Sequence, residues 1–299
     1  MERAWPYLIL LLPPLFWAGN FVVGRAFSSD LGAITMSFYR WLLALLILMP
    51  FAAPTIKREL PIMLRHIPIL SVLALLSVAS FNVLLYLGLR DTEATNALLI
   101  NSSIPVWILA LGVIFYGDSL TLRRSFGIIV SFSGVSFLIL SSQTDQLTIN
   151  RGDLWVVSSS LGWALYSLTL RKRPANLSGL GFLAYIVVFG VCFNGVLLAL
   201  NPLDEPSLPW TPDTFYGIGY VAVFASLGAY VCWNYGVSKL GAQVAGQYIH
   251  LMPLYGVIMA SIFLDESMTP NHWIAGCLIA AGLLLAMRQP ANEVALKPN

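Results

Sequence analysis

Gln243, Gln247 and His250 stand four and three residues apart in GAQVAGQYIHLMPLYG (241–256), so a helix would carry all three on one stripe of an apolar surface. Amide and imidazole groups at that spacing suit hydrogen-bonded recognition of a small polar molecule, and His250 can also carry a proton. Pro253 follows within a turn and removes the amide that would bond the carbonyl of Ile249. NALLINSSIPVWI (96–108) is built alike: Thr95, Asn101 and Ser102 precede Pro105, which frees the carbonyl of Asn101. In lipid, such carbonyls are tolerated only where they face protein or a wet cavity, so the two prolines mark the expected depth of a substrate site. The alternative for each is a packing kink.

Other chemistry-bearing residues fall at corresponding depths: Trp17 and Asn20, Asn82 and Tyr86, Trp163 and Tyr166, Tyr230 and Asn234. Trp17 and Trp163 lie too far inside their apolar runs for interface belts, and an indole offers apolar area plus one donor, which suits a cavity wall as well as helix packing. Arg40 is also well inside its run, where a bare guanidinium is costly. It either pairs with a substrate carboxylate or caps the freed carbonyls of a broken helix. No HExxH, no mid-depth Ser/Lys or Asp/Asp pair and no cofactor loop accompany these residues, so no enzyme, metal or cofactor is expected. The cysteines, Cys192, Cys232 and Cys277, lack ligand spacing and read as small buried hydrophobes.

The elements that position these groups follow from composition. Of 299 residues 58% are hydrophobic and 10% charged, with a mean hydropathy of +0.79, against roughly 25% charged in a soluble domain. The apolar runs have the length of a helix crossing a bilayer and lack the period-2 alternation of a membrane strand. An all-α integral membrane protein is expected, with spans at 6–27, 31–53, 66–89, 93–116, 123–141, 153–170, 178–200, 214–237, 241–264 and 270–288. The first run resembles a signal peptide but is expected to be retained, because Trp17 and Arg25 have counterparts later in the chain. The net charge of +2 excludes nucleic acid as a partner and leaves lipid.

Lys and Arg are retained on the cytoplasmic side. With the amino terminus inside, the inside segments carry Arg3; Lys57, Arg58 and Arg65; Arg123 and Arg124; Arg171, Lys172 and Arg173; Lys239; Arg288 and Lys297. The outside segments carry only Arg25, Arg90 and Arg151. Both termini are therefore expected in the cytoplasm.

The chain also repeats itself. At an offset of about 148, residues 86–121 lie without gaps on 234–269: Gly88 meets Gly236, Pro105 meets Pro253 and Asp118 meets Glu266. Gly134 then meets Gly282, and nearer the start Trp17-Ala18 meets Trp163-Ala164 and Arg25 meets Arg171. Two five-helix units, 1–148 and 149–299, are expected, and the odd number of helices makes them inverted repeats in one membrane domain. His250 maps onto Ser102 and Gln247 onto Leu99, so the ninth span would carry more of the polar recognition. Gly127, Gly134, Gly276 and Gly282 read as close-packing surfaces of the fifth and tenth spans.

LFWAGNFVVGR (15–25), RWLLALLILMP (40–50) and GAQVAGQYIHLMPLYGVIMASIFLDESMT (241–269) followed by AGCLIAAGLLL resemble the EamA family of the drug/metabolite transporter superfamily. Asp118 and Glu266 match its acidic residue at the end of the fourth span of each half, and its broad use of a basic residue at the position of Arg40 favours a structural role there. The resemblance implies a ten-helix inner-membrane carrier, nearest to bacterial exporters of aromatic amino acids, either a monomer or a weak homodimer. All fourteen carboxylates lie at loops or span ends, which favours a facilitator working by alternating access. A proton-coupled drug/metabolite antiporter using His250 is the alternative. A sugar-phosphate translocator would need more cavity cations than Arg40.

Overall fold

In a computed structural model, which describes residues 5–117, 121–141, 150–203, 205, 209, 211–240 and 248–287, the described residues form helices and no strand. Six segments are long and apolar enough to cross a membrane: Trp5–Ala26, Ala33–Arg65, Ile67–Asp91, Ala94–Tyr116, Gly179–Leu200 and Pro212–Trp233. The first comprises α1 (Trp5–Ile9) and α2 (Leu12–Ala26), and the second is α3 (Ala33–Arg65). The third holds α4 (Ile67–Ala74), a π-helical segment Leu75–Ser80 and α5 (Phe81–Asp91); the fourth holds α6 (Ala94–Asn101) and α7 (Ile104–Tyr116). Four further expected segments contain α8 (Leu122–Ser141), α9 (Arg151–Thr169), α13 (Met252–Phe263) and α14 (Pro270–Met287), which do not reach that length and hydropathy among the described residues. The last two of the six are α10 (Gly179–Leu200), and α11 (Pro212–Tyr220) continuing through a π-helical segment Val221–Gly228 into α12 (Ala229–Leu240).

Three helix starts are closed by carboxylates from distant parts of the chain. Glu205 accepts from the amides of Ile34 and Thr35 at 3.0 Å each and from the Thr35 hydroxyl at 3.1 Å, over the start of α3. Glu266 accepts from the amides of Ala94 and Thr95 at 2.9 Å each and from the Thr95 hydroxyl at 2.8 Å, over the start of α6. Glu59 accepts from the amide of Ser178 at 3.2 Å, over the start of α10. Each meets donors that a helix leaves unpaired and sits at the positive end of its dipole.

The helix α3 runs past the expected end near residue 53, through Pro50, Pro54 and Pro61, to Arg65. Tertiary contacts hold the extension: Glu59 is buried against α10, and the Tyr185 hydroxyl donates to the Ile56 carbonyl at 2.5 Å. The cysteines correct a second expectation: Cys192 and Cys277 are exposed and Cys232 is half-buried. Small apolar side chains on these helices are as comfortable on an outer face as in the core, so residue type alone does not settle which face they take.

Within the bundle α3 packs on α10, α5 on α9, α13 on α2 and α6, and α8 on α14. The α8/α14 contact depends on glycine. A Cβ on Gly282 would lie 2.4 Å from the Ser131 amide nitrogen and 2.6 Å from the Gly127 carbonyl, and one on Gly134 would lie 2.8 Å from the Leu278 Cβ. Gly276 is under no such constraint, its nearest neighbour being a Leu99 methyl at 3.5 Å. Gly282→Val should therefore part the two backbones and destabilise the fold by about 2 kcal/mol, read as a lowered melting temperature in detergent, whereas Gly276→Ala should melt like the wild type.

Candidate substrate site

Arg40, only 3% exposed, is the most heavily hydrogen-bonded of the polar residues singled out above. Its Nη1 donates toward Asn20 Oδ1 (2.7 Å), Asn82 Oδ1 (2.8 Å) and the Tyr86 hydroxyl (2.7 Å). Its Nε and Nη2 donate to the Ser226 hydroxyl at 3.1 and 2.8 Å. Tyr86 in turn donates to Asn20 Oδ1 at 2.7 Å, and the Asn82 amide donates to the carbonyls of Ser77 and Val78 in the π-helical segment. The guanidinium plane lies near the rings of Trp41 (5.1 Å) and Tyr86 (6.0 Å).

These residues come from α2, α3, α5 and the π-helical turn before α12, so one cation fixes four helices. All of the partners are neutral, and no carboxylate lies within ion-pair distance among the described residues. The freed carbonyls of a broken helix are not what Arg40 caps; it is held by side-chain oxygens. A buried cation balanced only by dipoles keeps a positive potential at the bundle centre, which favours an entering anionic group.

Aromatic residues flank this centre on two sides. Trp17 donates from Nε1 to the carbonyl of Ala225, next to Ser226, at 3.2 Å, and its ring lies 6.3 Å from that of Tyr230 and 5.7 Å from that of Trp233. Trp163 lies 4.9 Å from the ring of Phe81, next to Asn82, and 5.1 Å from that of Tyr166.

The fourth expected span is broken at Ser102 and Ser103, where α6 ends and Pro105 opens the first turn of α7. In the ninth expected span a 3₁₀ turn, Ile249–Leu251, leads into α13, which Pro253 likewise opens. Ser102 turns its hydroxyl back on the Leu98 carbonyl at 2.8 Å. Asn101 Oδ1 and Trp107 Nε1, on the two sides of the first break, are buried with no protein partner, a condition that costs about 1–3 kcal/mol per group. An acceptor and a donor so placed can be satisfied by a polar ligand.

Of the residues singled out, Asn20, Asn82 and Tyr86 are thus engaged with Arg40, Trp17 and Trp163 flank it, and Asn101 and Ser102 lie at the first break. Asp118, Gln243 and Gln247 lie outside the described residues, as do the side chains of Asn234 and His250. Ser226, Trp41 and Trp107 went unnoticed in the sequence. Ser226 aligns with Ser80 at the offset that pairs Trp17 with Trp163, which is the one signal that marks it.

The helices thus surround a buried cation with no carboxylate partner among the described residues, and comparison with known proteins says which family builds this arrangement. The chain belongs to the EamA-like transporter family. The family pattern is matched twice, by residues 4–140 and 150–288. An uncharacterized transporter of Archaeoglobus fulgidus is 28% identical over 289 residues, covering 93% of this chain and 96% of the relative. A protein of Streptantibioticus cattleyicolor described as "Probable terminal-alkyne amino-acid exporter" is 24% identical over 283 residues, covering 94% and 92%. A solved crystal structure shares the fold with a TM-score of 0.63 at 13% identity, covering 95% of this chain and 96% of that one. Family and relatives describe a transporter rather than an enzyme.

Removing the Arg40 side chain leaves Asn20, Asn82, Tyr86 and Ser226 facing one another without their shared donor. Arg40→Ala should cost about 3 kcal/mol of stability or more, and Tyr86→Phe about 1 kcal/mol. Detergent melting curves check this order; an Arg40→Ala protein that melts like the wild type would contradict the assignment.

Proposed function

We propose that this EamA-family protein is an inner-membrane carrier that exports amino acids or related small metabolites by alternating access, without ion coupling. The observation that carries this reading is Arg40: a buried cation whose hydrogen-bond partners are all neutral, flanked by the Trp17 and Trp163 aromatic groups. A carboxylate of the substrate supplies the missing countercharge, an indole wall accepts its side chain, and Asn101 and Trp107 offer unspent polar atoms. Trp17, Asn20, Asn82, Tyr86, Asn101, Ser102, Trp163, Tyr166, Asn234, Gln243, Gln247 and His250 are assigned to the substrate path. The exporter of S. cattleyicolor supports an amino acid as the cargo.

Ten spans arranged as inverted halves, 1–148 and 149–299, complete the proposal. Several pairings support it. Glu59 and Glu205, at the offset relating Trp17 to Trp163, close the starts of α10 and α3 at opposite ends of α3. The π-helical segments Leu75–Ser80 and Val221–Gly228 begin at the same offset. Counterpart helices also pack on one another, α3 on α10 and α8 on α14. In this arrangement the first four spans of each half rock about the level of Pro105 and Pro253, with α8 and α14 as peripheral braces.

Reconstituted protein should move labelled amino acids, aromatic ones first, out of liposomes down a concentration gradient, with a rate indifferent to a protonophore. No flux for any of a full amino-acid panel would remove the cargo assignment, and abolition by the protonophore would turn the reading to a proton antiporter. Trp163→Ala and Gln247→Ala should lower flux about tenfold while inserting normally, the loss expected for one good contact. A fluorescent protein fused after Asn299 should glow and a phosphatase fused there should stay inactive, since both termini are placed in the cytoplasm.

A further inference from the structure

At the end of the bundle where α2 meets α3, a cavity of about 840 Å³ is lined by Arg25, Arg90, Asp91, Glu93, Asp265 and Glu266 among others. Charge of both signs around one opening ordinarily collapses into ion pairs, yet none of these six makes one within 4 Å among the described residues. Glu266 is spent on the start of α6. Arg25 is half-buried, and its Nη1 is held by the carbonyls of Leu89 (2.8 Å) and Arg90 (2.9 Å) at the end of α5. Its Nε and Nη2, the edge that grips a carboxylate in bidentate fashion, donate to no described residue. Asp91, Glu93 and Asp265 are exposed and make no side-chain hydrogen bond among the described residues.

Asp265 carries a second, independent signal. Its backbone is left-handed, with φ of 55°, a conformation suited to glycine. The equivalent position in the first half is Gly117, with φ of 65°. The fold therefore asks for a left-handed residue at both places, and at 265 it keeps a carboxylate where glycine would be less strained. The other acids follow suit: at the repeat offset Asp91 corresponds to Lys239, Glu93 to Gly241 and Arg90 to Ser238. Arg25 and Glu266 recur as Arg171 and Asp118, whereas Arg90, Asp91, Glu93 and Asp265 have no counterpart of like charge, so these four are not demanded by the repeat.

We propose that this cavity is a docking site for the head group of a zwitterion, the free edge of Arg25 taking the carboxylate while Asp91, Glu93 and Asp265 surround the ammonium. The inference rests on the amino-acid reading given above and adds to it a site separate from Arg40. By the distribution of basic residues it lies on the face away from the cytoplasm, where exported cargo leaves and where external amino acid would compete.

Uptake of labelled L-phenylalanine into proteoliposomes tests it, with phenethylamine and 3-phenylpropionate as competitors lacking one charge each. Arg25→Gln should raise the half-saturating concentration about tenfold, the loss of one charge-assisted bidentate contact, and Arg25→Lys should recover part of it. Asp265→Gly should melt at or above the wild-type temperature yet raise the half-saturating concentration several-fold, a split that a structural role would not produce. The combined variant Asp91→Asn, Glu93→Gln, Asp265→Asn should gain inhibition by 3-phenylpropionate. If Arg25→Gln misfolds, the acidic variants, none of which removes a side-chain hydrogen bond among the described residues, decide alone. Wild-type affinity in Asp265→Gly and in the combined variant would overturn the site while leaving the carrier intact. A wild type that moves neither L-phenylalanine nor any other amino acid would overturn the cargo reading and the zwitterion site together.

Discussion

In a lipid-facing helical chain every backbone group released from a helix must be satisfied by protein, and most of this structure answers that demand. Helices start at Ala33, Ala94 and Gly179, and each start is closed by a glutamate from far along the chain. The π-helical segments pass their irregular carbonyls to side chains: Asn82 serves Ser77 and Val78, and Trp17 serves Ala225. Asn82 also accepts from Arg40, and Trp17 bonds the residue next to Ser226, so groups that repair the backbone also take part in the polar centre. Local irregularity and the candidate site are one feature, because in hydrocarbon only a broken helix exposes polar backbone and only a polar centre can absorb it.

Arg40 concentrates this economy. A guanidinium offers five donors in a rigid plane, and here they tie α3 to three other helical segments. Lysine has neither the donor number nor the planar fork to replace it. In the proposed carrier the neutral shell matters, because a carboxylate partner inside the protein would cancel the positive potential available to an anionic group. At the offset that relates Trp17 to Trp163, the position matching Arg40 is Ile186, so the sequence repeat supplies no second cation.

Much of this was legible in the sequence where one residue type admits few roles. Pro105 and Pro253 announce irregular backbone because proline lacks an amide, and each stands in the first turn of a helix. Gly134 and Gly282 announce backbone contact, and α8 and α14 meet there. Polarity at mid-depth singles out Asn20, Asn82 and Tyr86, but which polar group faces which is a matter of helix rotation and crossing, and these three hold Arg40 directly. The π-helical segments LLSVAS and VAVFASLG carry no local mark, since an extra residue per turn is imposed by packing against neighbours. Glu59 and Glu205 were readable only as a pair: each alone looks like a solvated loop charge, and the shared offset is what ties both to helix starts.

The central claim is that one site opens alternately to the two faces, and counterflow tests it most directly. Liposomes containing the protein are loaded with unlabelled L-phenylalanine, then diluted into a trace of labelled L-phenylalanine with a protonophore present. The account predicts that label accumulates transiently above its outside concentration, driven only by exit of the unlabelled cargo, and that Arg40→Lys, if it folds, loses this overshoot. Monotonic equilibration of label, with no overshoot in the wild type, would contradict it.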